Sequence, residues 1–218
     1  MLKHSIQTVV FDYDGTLHDT MQLYKPAFMK AYEFLKAQGI EEEQTFTDAD
    51  ISKYLGYTAQ EMWDLYDPHL DPTIRDTASK IITQTMVEGM RNGTARLFEG
   101  AYEVLKTLKE RGYTLVFLSN CQHAYMAAHT ALFHLDTVFD VMVCSEDHSG
   151  APKRDILHAL LKDLPSGLAV VGDRHHDIDA GKANGAMTFG CAYGYGQDSE
   201  IADADIHLNS IQELLHYL

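Results

Sequence analysis

The segment VVFDYDGTLHDT, Val9 to Thr20, ends a short apolar run with two carboxylates one residue apart, Asp12 and Asp14, and then a glycine. Two acids at the mouth of a buried strand repel each other and are costly to desolvate. A cation, or a reaction, has to justify them. An EF-hand calcium loop does not fit the spacing. Such a loop beginning at Asp12 needs glycine where Leu17 stands and glutamate where Leu23 stands, and it follows a helix, not a strand. Phosphoryl transfer suits the pair better. A divalent cation neutralises the non-bridging oxygens, one carboxylate attacks phosphorus in line, and a second acid handles the leaving-group proton. Mg²⁺ meets that need with one or two carboxylates, a carbonyl and retained waters.

Polar residues also close other apolar runs. Ser119 and Asn120 end YTLVFLSN, which reads as a strand from Tyr113 to Leu118, and Asp173 ends LAVVGD. Val138 to Cys144 and Met187 to Ala192 read as further strands, with Ile206 to Leu208 as an edge strand. Helical patterns separate them at Val104–Arg111, Gln122–Phe133, Lys153–Leu164 and Asp177–Asn184, and Ser210–Leu218 reads as a closing helix. Short apolar strands spaced by helices predict a parallel sheet covered on both faces. Ligands bind at the carboxyl edge of such sheets, where these polar residues gather.

Residues 18–96 read differently, with helical spacing in KPAFMKAYEFLKAQG, TAQEMWDLY and TIRDTASKIITQTMVEGM and no convincing strand. The expected architecture is therefore α/β. A Rossmann-like parallel sheet core of five or six strands, residues 1–17 and 97–218, carries an inserted all-helical domain at 18–96, with hinges near Thr20 and Thr94. Trp63 and Tyr66 are expected in the core of that insertion.

Lys and Arg number 17 against 32 Asp and Glu, a formal net charge of −15. Such a balance argues against a nucleic-acid partner and requires a metal or local cations to draw in an anionic substrate. The three cysteines form no CxxC pair, which favours a reducing compartment. Neither a signal peptide nor a membrane span is expected, and the location expected is cytoplasmic. His175 and His176 are expected on a solvent-facing loop and not as zinc ligands, because adjacent residues rarely converge on one ion. His123 and His129 are expected on a helix surface.

DYDGT at Asp12 to Thr16, LSN at Leu118 to Asn120, and GDRHHDI at Gly172 to Ile178 resemble the motifs of the haloacid-dehalogenase-like hydrolases. RLFEGAYEVLKTLKERGYTLVFLSN and VGDRHHDIDAGKANGAMTFGCAYGYG resemble the phosphoglycolate-phosphatase-like branch, whose helical (C1-type) cap is inserted just after the first motif. The resemblance implies an aspartyl-phosphate mechanism. Asp12 would be the nucleophile, and Asp14 would protonate the leaving oxygen and then activate water. Ser119, with the Asn120 backbone, would bind phosphoryl oxygens, and the Gly15 backbone would turn sharply beside the phosphate. Asp12, Asp14 (through its carbonyl), Asp173 and Asp177 would hold Mg²⁺.

An acid at position 14 favours phosphate chemistry over carbon–halogen cleavage, since halide needs no proton. The lysine of the third motif is displaced. Ungapped alignment puts Ala151 there, whereas a shortened loop brings in Lys153, with Lys182 and Arg154 as fallbacks. Tyr57, in the segment LGYTAQE, would contact the organic part of the substrate. The expected function is a Mg²⁺-dependent phosphatase acting on a small phosphorylated metabolite, as a monomer or homodimer. A phosphomutase, a receiver-type signalling module and a catalytically inactive binding protein are the alternatives.

Overall fold

The computed structural model describes residues 6–218, so the first five residues of the expected core lie outside the described residues. The chain divides into two compact units, one made of the N-terminal segment up to Leu17 with Leu97–Leu218, the other of His18–Arg96. Strand β1 (Thr8–Phe11) belongs to the first. The chain then forms the whole second unit from helices α1 (Met21–Ala37), α2 (Asp48–Ser52), α3 (Ala59–Tyr66) and α4 (Pro72–Arg91). It returns as α5 (Ala101–Glu110), β2 (Thr114–Ser119), α6 (His123–Phe133), β3 (Val141–Cys144) and α7 (Lys153–Leu160). The remainder is β4 (Leu168–Gly172), α8 (His175–Ala183), β5 (Met187–Cys191), α9 (Asp198–Ile201) and β6 (Ile206–Leu208).

The six strands form one parallel sheet in the order β3-β2-β1-β4-β5-β6. Alternate residues of each strand point to opposite faces, and the apolar runs fill both. Val9, Phe11, Leu115, Phe117 and Val171 meet α5 through Val104, Leu105 and Leu108. Val10, Val116, Leu118 and Val170 meet α7 and α8 through Ile156, Leu157 and Ala180. Strands buried on two sides have no polar face to show, and so the sequence reads as apolar runs without alternation.

Local chemistry sets the helix ends. Asp71 caps α4 by accepting the Thr73 and Ile74 amides at 2.9 and 3.3 Å, and Pro72 takes the first helical position, where no N–H is needed. Thr58 and Glu61 form a reciprocal capping box on α3. Trp63 is buried and donates to Ser79 Oγ at 2.7 Å, while Tyr66 is half-buried and donates to Glu41 at 2.8 Å.

Three expected elements differ. The helix over Lys153–Leu164 ends as α-helix at Leu160 and tightens into a 3₁₀ turn at Leu161–Asp163. Leu164 is extended because Pro165 follows it. The strand expected from Val138 begins at Val141, since Asp140 turns its carboxylate back to the Leu115 amide at 2.9 Å and to Lys109. The closing segment is a 3₁₀ helix, Ile211–His216, anchored by buried Ile211 and Leu214. Among the described residues no helix is long and apolar enough to cross a membrane.

Leu105 is fully buried between α5 and the sheet. Leu105→Ala should cost about 2–5 kcal/mol of stability by cavity formation, measured as a lower urea midpoint with an unchanged slope.

Candidate active site

In an open parallel sheet the crevice lies where the strand connections reverse. Here β1 and β4 are neighbours across that point, with Phe11 opposite Val171. Asp12 therefore leaves β1 beside Asp173 leaving β4, and the Asp12 amide still donates to the Val171 carbonyl at 2.9 Å. The first turns of α7 and α8 deliver Lys153 and Asp177 to the same place. Oxygens of Asp12, Asp173 and Asp177 lie within 4.8 Å of one another, and all three residues are buried.

Lys153 holds this cluster. It is 4% exposed, forms a short hydrogen-bonded ion pair with Asp12 Oδ1, and donates to Asp177 Oδ1 at 2.7 Å. The fallback cations stand elsewhere. Lys182 is exposed and pairs with Asp205 at 2.5 Å, and Arg154 is exposed beside Asp155 at 3.4 Å. The other oxygen of Asp177 accepts the Arg174 amide at 3.1 Å, reaching back across the N-terminus of α8. Asp173 is fixed by the Tyr195 and Gly196 amides at 2.7 and 3.2 Å and by Thr16 Oγ at 3.4 Å. Asp12 Oδ2 is buried and has no hydrogen-bond partner.

The backbone makes room for these acids at glycines, Gly15 and Gly172 among them. Gly15 has φ +88°, and a Cβ there would lie 2.3 Å from the Asp173 carboxylate. A Cβ on Gly172 would lie 2.2 Å from the Asp177 side chain. Neither position admits alanine without moving an acid of the cluster.

Burial drives the Asp12 carboxyl well above its ordinary range. Asp177 and Asp173 push it the same way, and the Lys153 ammonium only partly offsets them. Burial and then Asp177 raise Asp173 to about 7, against the pull of the Tyr195 amide, Arg174 and the Gly196 amide. Burial alone would lower Lys153, but attraction to Asp12 and Asp177 outweighs it and the net shift is upward. Three carboxylates (−3) against one ammonium (+1) leave a formal −2 in a buried site. That residue of charge, the all-oxygen donors and the unsatisfied Asp12 Oδ2 fit a hard divalent cation.

The other expected residues take their places around this centre or apart from it. Ser119 is buried at the end of β2, the strand beside β1, where its Oγ accepts the Cys121 amide at 3.2 Å, and Asn120 follows it half-buried. Asp14 is half-buried, and its side chain lies outside the three-acid cluster. Instead, Asp14 Oδ1 accepts from Tyr125 at 2.8 Å. Tyr57 belongs to the helical unit, half-buried in the turn before α3.

Tyr125 had no signal in the sequence, being one aromatic of an unremarkable helical run. Behind it the expectation for His129 fails: it is fully buried, and its Nδ1 pairs with the Tyr13 hydroxyl at 2.7 Å. The Tyr125 ring lies 4.0 Å from the His129 ring. The 3.6-residue period that leaves His123 exposed turns His129 toward the sheet. His175 and His176 are not on a loop either. They form the half-buried first turn of α8, and His175 pairs with Glu200 at 2.9 Å.

A family model described as haloacid dehalogenase-like hydrolase matches residues 9–191. Pyrophosphatase PpaX of Anoxybacillus flavithermus is 25% identical over 98% of this chain and 97% of its own. A predicted phosphoglycolate phosphatase from Haemophilus somnus superposes with a TM-score of 0.79 at 21% identity, over 97% of each chain. CbbY from Rhodobacter sphaeroides, solved in complex with phosphate, gives 0.77 at 22% identity over 96% of each. At these identities the structural likeness is one of fold.

The raised carboxyls give a linkage prediction. The folded chain holds protons on Asp12 and Asp173 that the unfolded chain has already lost above its ordinary carboxylate range. Metal-free stability should therefore fall as pH rises from about 4 through about 7. A divalent cation must displace those protons. The rise in melting temperature on adding Mg²⁺ should be larger at pH 8 than at pH 5.5. An equal rise at both pH values would count against metal binding to these carboxylates.

Proposed function

The chain belongs to the haloacid dehalogenase-like hydrolases, and on that footing we propose that it is a Mg²⁺-dependent phosphatase of a small phosphorylated metabolite, working through an aspartyl-phosphate on Asp12. The observation that carries this reading is Asp12 itself. One oxygen is pinned by Lys153 and the other is buried without a partner, at the reversal point of the sheet.

Asp12, Asp173 and Asp177 would hold the cation, with the Asp14 carbonyl as a further ligand. Bound there, the cation supplies charge neutralisation at the non-bridging phosphoryl oxygens. The chain's own groups do the rest. Lys153 favours the ionised form of Asp12 against a burial that still holds its carboxyl up, and cation binding would displace the remaining proton. Asp12 forms a bond to phosphorus as the bond to the leaving oxygen breaks. Asp14 gives that oxygen its proton, then takes one from the water that hydrolyses the acyl phosphate. Ser119 and the Asn120 and Gly15 amides serve the phosphoryl oxygens. The Tyr125 hydroxyl, hydrogen-bonded to Asp14 Oδ1, orients the acid that must change protonation state twice in each cycle.

In the same reading the helical unit selects the organic part of the substrate, with Tyr57 among its candidate contacts. A cytoplasmic setting accompanies it. The pyrophosphatase and phosphoglycolate phosphatase relatives define the substrates to try first, inorganic pyrophosphate and 2-phosphoglycolate within a wider panel of phosphate esters.

Asp12→Asn should lower turnover by at least about 10³-fold and abolish acid-stable phosphoenzyme. Turnover retained by that variant, or no ester turned over by the wild type, would overturn the reading. Asp14→Asn should slow phosphoenzyme formation from alkyl esters by about 10²–10⁴-fold and far less from p-nitrophenyl phosphate, whose leaving group needs no proton, while phosphoenzyme breakdown slows alike for both. Tyr125→Phe should cost about tenfold or more in kcat, the worth of a hydrogen bond to a charged group. It should also move the acid limb of the pH–rate profile. An unmoved profile would reduce Tyr125 to packing.

A further inference from the structure

A second group of metal-ligating side chains stands in the first unit, apart from the three acids. His123 opens α6, Cys144 ends β3, and Asp147 lies in the 3₁₀ turn that follows β3. Their donor atoms all lie within 4.8 Å of one another. His123 Nδ1 is 3.1 Å from both oxygens of Asp147, and Cys144 Sγ is 3.3 Å from Asp147 Oδ2. The His123 amide donates to Glu146 at 2.8 Å, which ties the start of α6 to the turn that carries Asp147.

We propose that His123, Cys144 and Asp147 form a second metal site, for a borderline-soft divalent ion of the Zn²⁺ class. Bond lengths of about 2.0–2.3 Å to N, O and S in a tetrahedral site put neighbouring ligand atoms about 3.3–3.8 Å apart. The two measured edges of the triangle, 3.1 and 3.3 Å, stand at or just under that range, so small side-chain rotations suffice. The thiol is buried beneath, whereas the imidazole and the carboxylate are 60% and 43% exposed. That leaves the fourth position to solvent, as in sites with three protein ligands. As the sulfur–metal bond forms, the thiol proton now donated to Asp147 passes to solvent.

Other readings of the trio are weaker. A nucleophilic triad needs the histidine between thiol and acid, yet here the acid lies between the other two. Burial also pushes the Cys144 thiol up, opposite to activation. The donor sets keep the two sites apart in metal preference: oxygens alone at Asp12, Asp173 and Asp177 suit a hard ion, and N, S and O at Cys144 a softer one. In register Cys144 faces Ser119 on β2, so the second site adjoins a strand end of the first. The proposal stands on these contacts alone and is independent of the catalytic reading.

The test is a Co²⁺ titration of the folded protein under saturating Mg²⁺, which occupies the all-oxygen site. The wild type should develop a thiolate-to-cobalt charge-transfer band that saturates at one ion per chain. Cys144→Ser should lack the band. His123→Ala, at an exposed position that folding tolerates, should weaken Co²⁺ binding by more than about tenfold, the usual cost of losing even an outer-shell partner. Zn²⁺ should displace the cobalt and bleach the band. No thiolate band in the wild type, a band that survives Cys144→Ser, or unchanged affinity in His123→Ala would each overturn the assignment.

Discussion

The arrangement of this site depends on one buried ammonium. Lys153 sits almost out of water between Asp12 and Asp177, with Asp173 as a third acid within reach. Each buried charge costs several kcal/mol to desolvate, and pairing returns that cost only where geometry is close and hydrogen bonds are complete. With three acids and one cation the compensation is incomplete by construction. A fold selected for stability alone would have replaced the cluster with apolar side chains. Its retention, in a chain already at −15, is a cost borne for chemistry at the sheet edge.

The fold meets that constraint with backbone more than with side chains. Asp173 is held by two amides of the turn after β5, and Asp177 gives one oxygen to the N-terminus of its own helix while the other meets Lys153. Lys153 stands at the first position of α7, where a cation is disfavoured by the helix dipole. Only the acids facing it make the placement favourable. The same placement adds the positive end of α7 to the ammonium on the Asp12 side of the site. Gly15 and Gly172 then let acid side chains approach backbone at distances no Cβ would allow.

What the sequence discloses follows from which interactions are local. Apolar runs closed by Asp12, Ser119 and Asp173 disclose the strands and their functional edge, because parallel strands buried on both faces leave a strong one-dimensional signal. The register between β1 and β4, which sets Asp12 beside Asp173, is non-local, and nothing in either strand's own pattern discloses it. Lys153 was ambiguous with Ala151 because loop length, which decides the matter, has no periodic signature. Leu164 shows the reverse case: Pro165 marks the end of the helical stretch in the sequence, but the apolar spacing through Leu164 masked it. In the sequence His129 is misplaced on a helix surface, and Tyr125 carries no signal. Their roles come from partners more than a hundred positions away, Tyr13 and Asp14.

Those two partnerships distinguish the acids of the opening motif. Asp12 answers to an ammonium in a buried site, and Asp14, two residues on, answers to a phenol at partial exposure. Burial and Asp14 itself hold the Tyr125 hydroxyl well above its usual range, so it stays a proton donor throughout the working pH of the protein. A donor that never ionises favours the charged carboxylate without competing for its proton. Behind it Tyr13 and His129 close a buried hydrogen bond, and the His129 ring, tilted against the Tyr125 ring at 4.0 Å, limits where the phenol can swing. One strand end thus presents a carboxylate fixed by charge beside one fixed by orientation. The roles we propose follow that division, since a nucleophile needs the first kind of constraint and a proton shuttle the second.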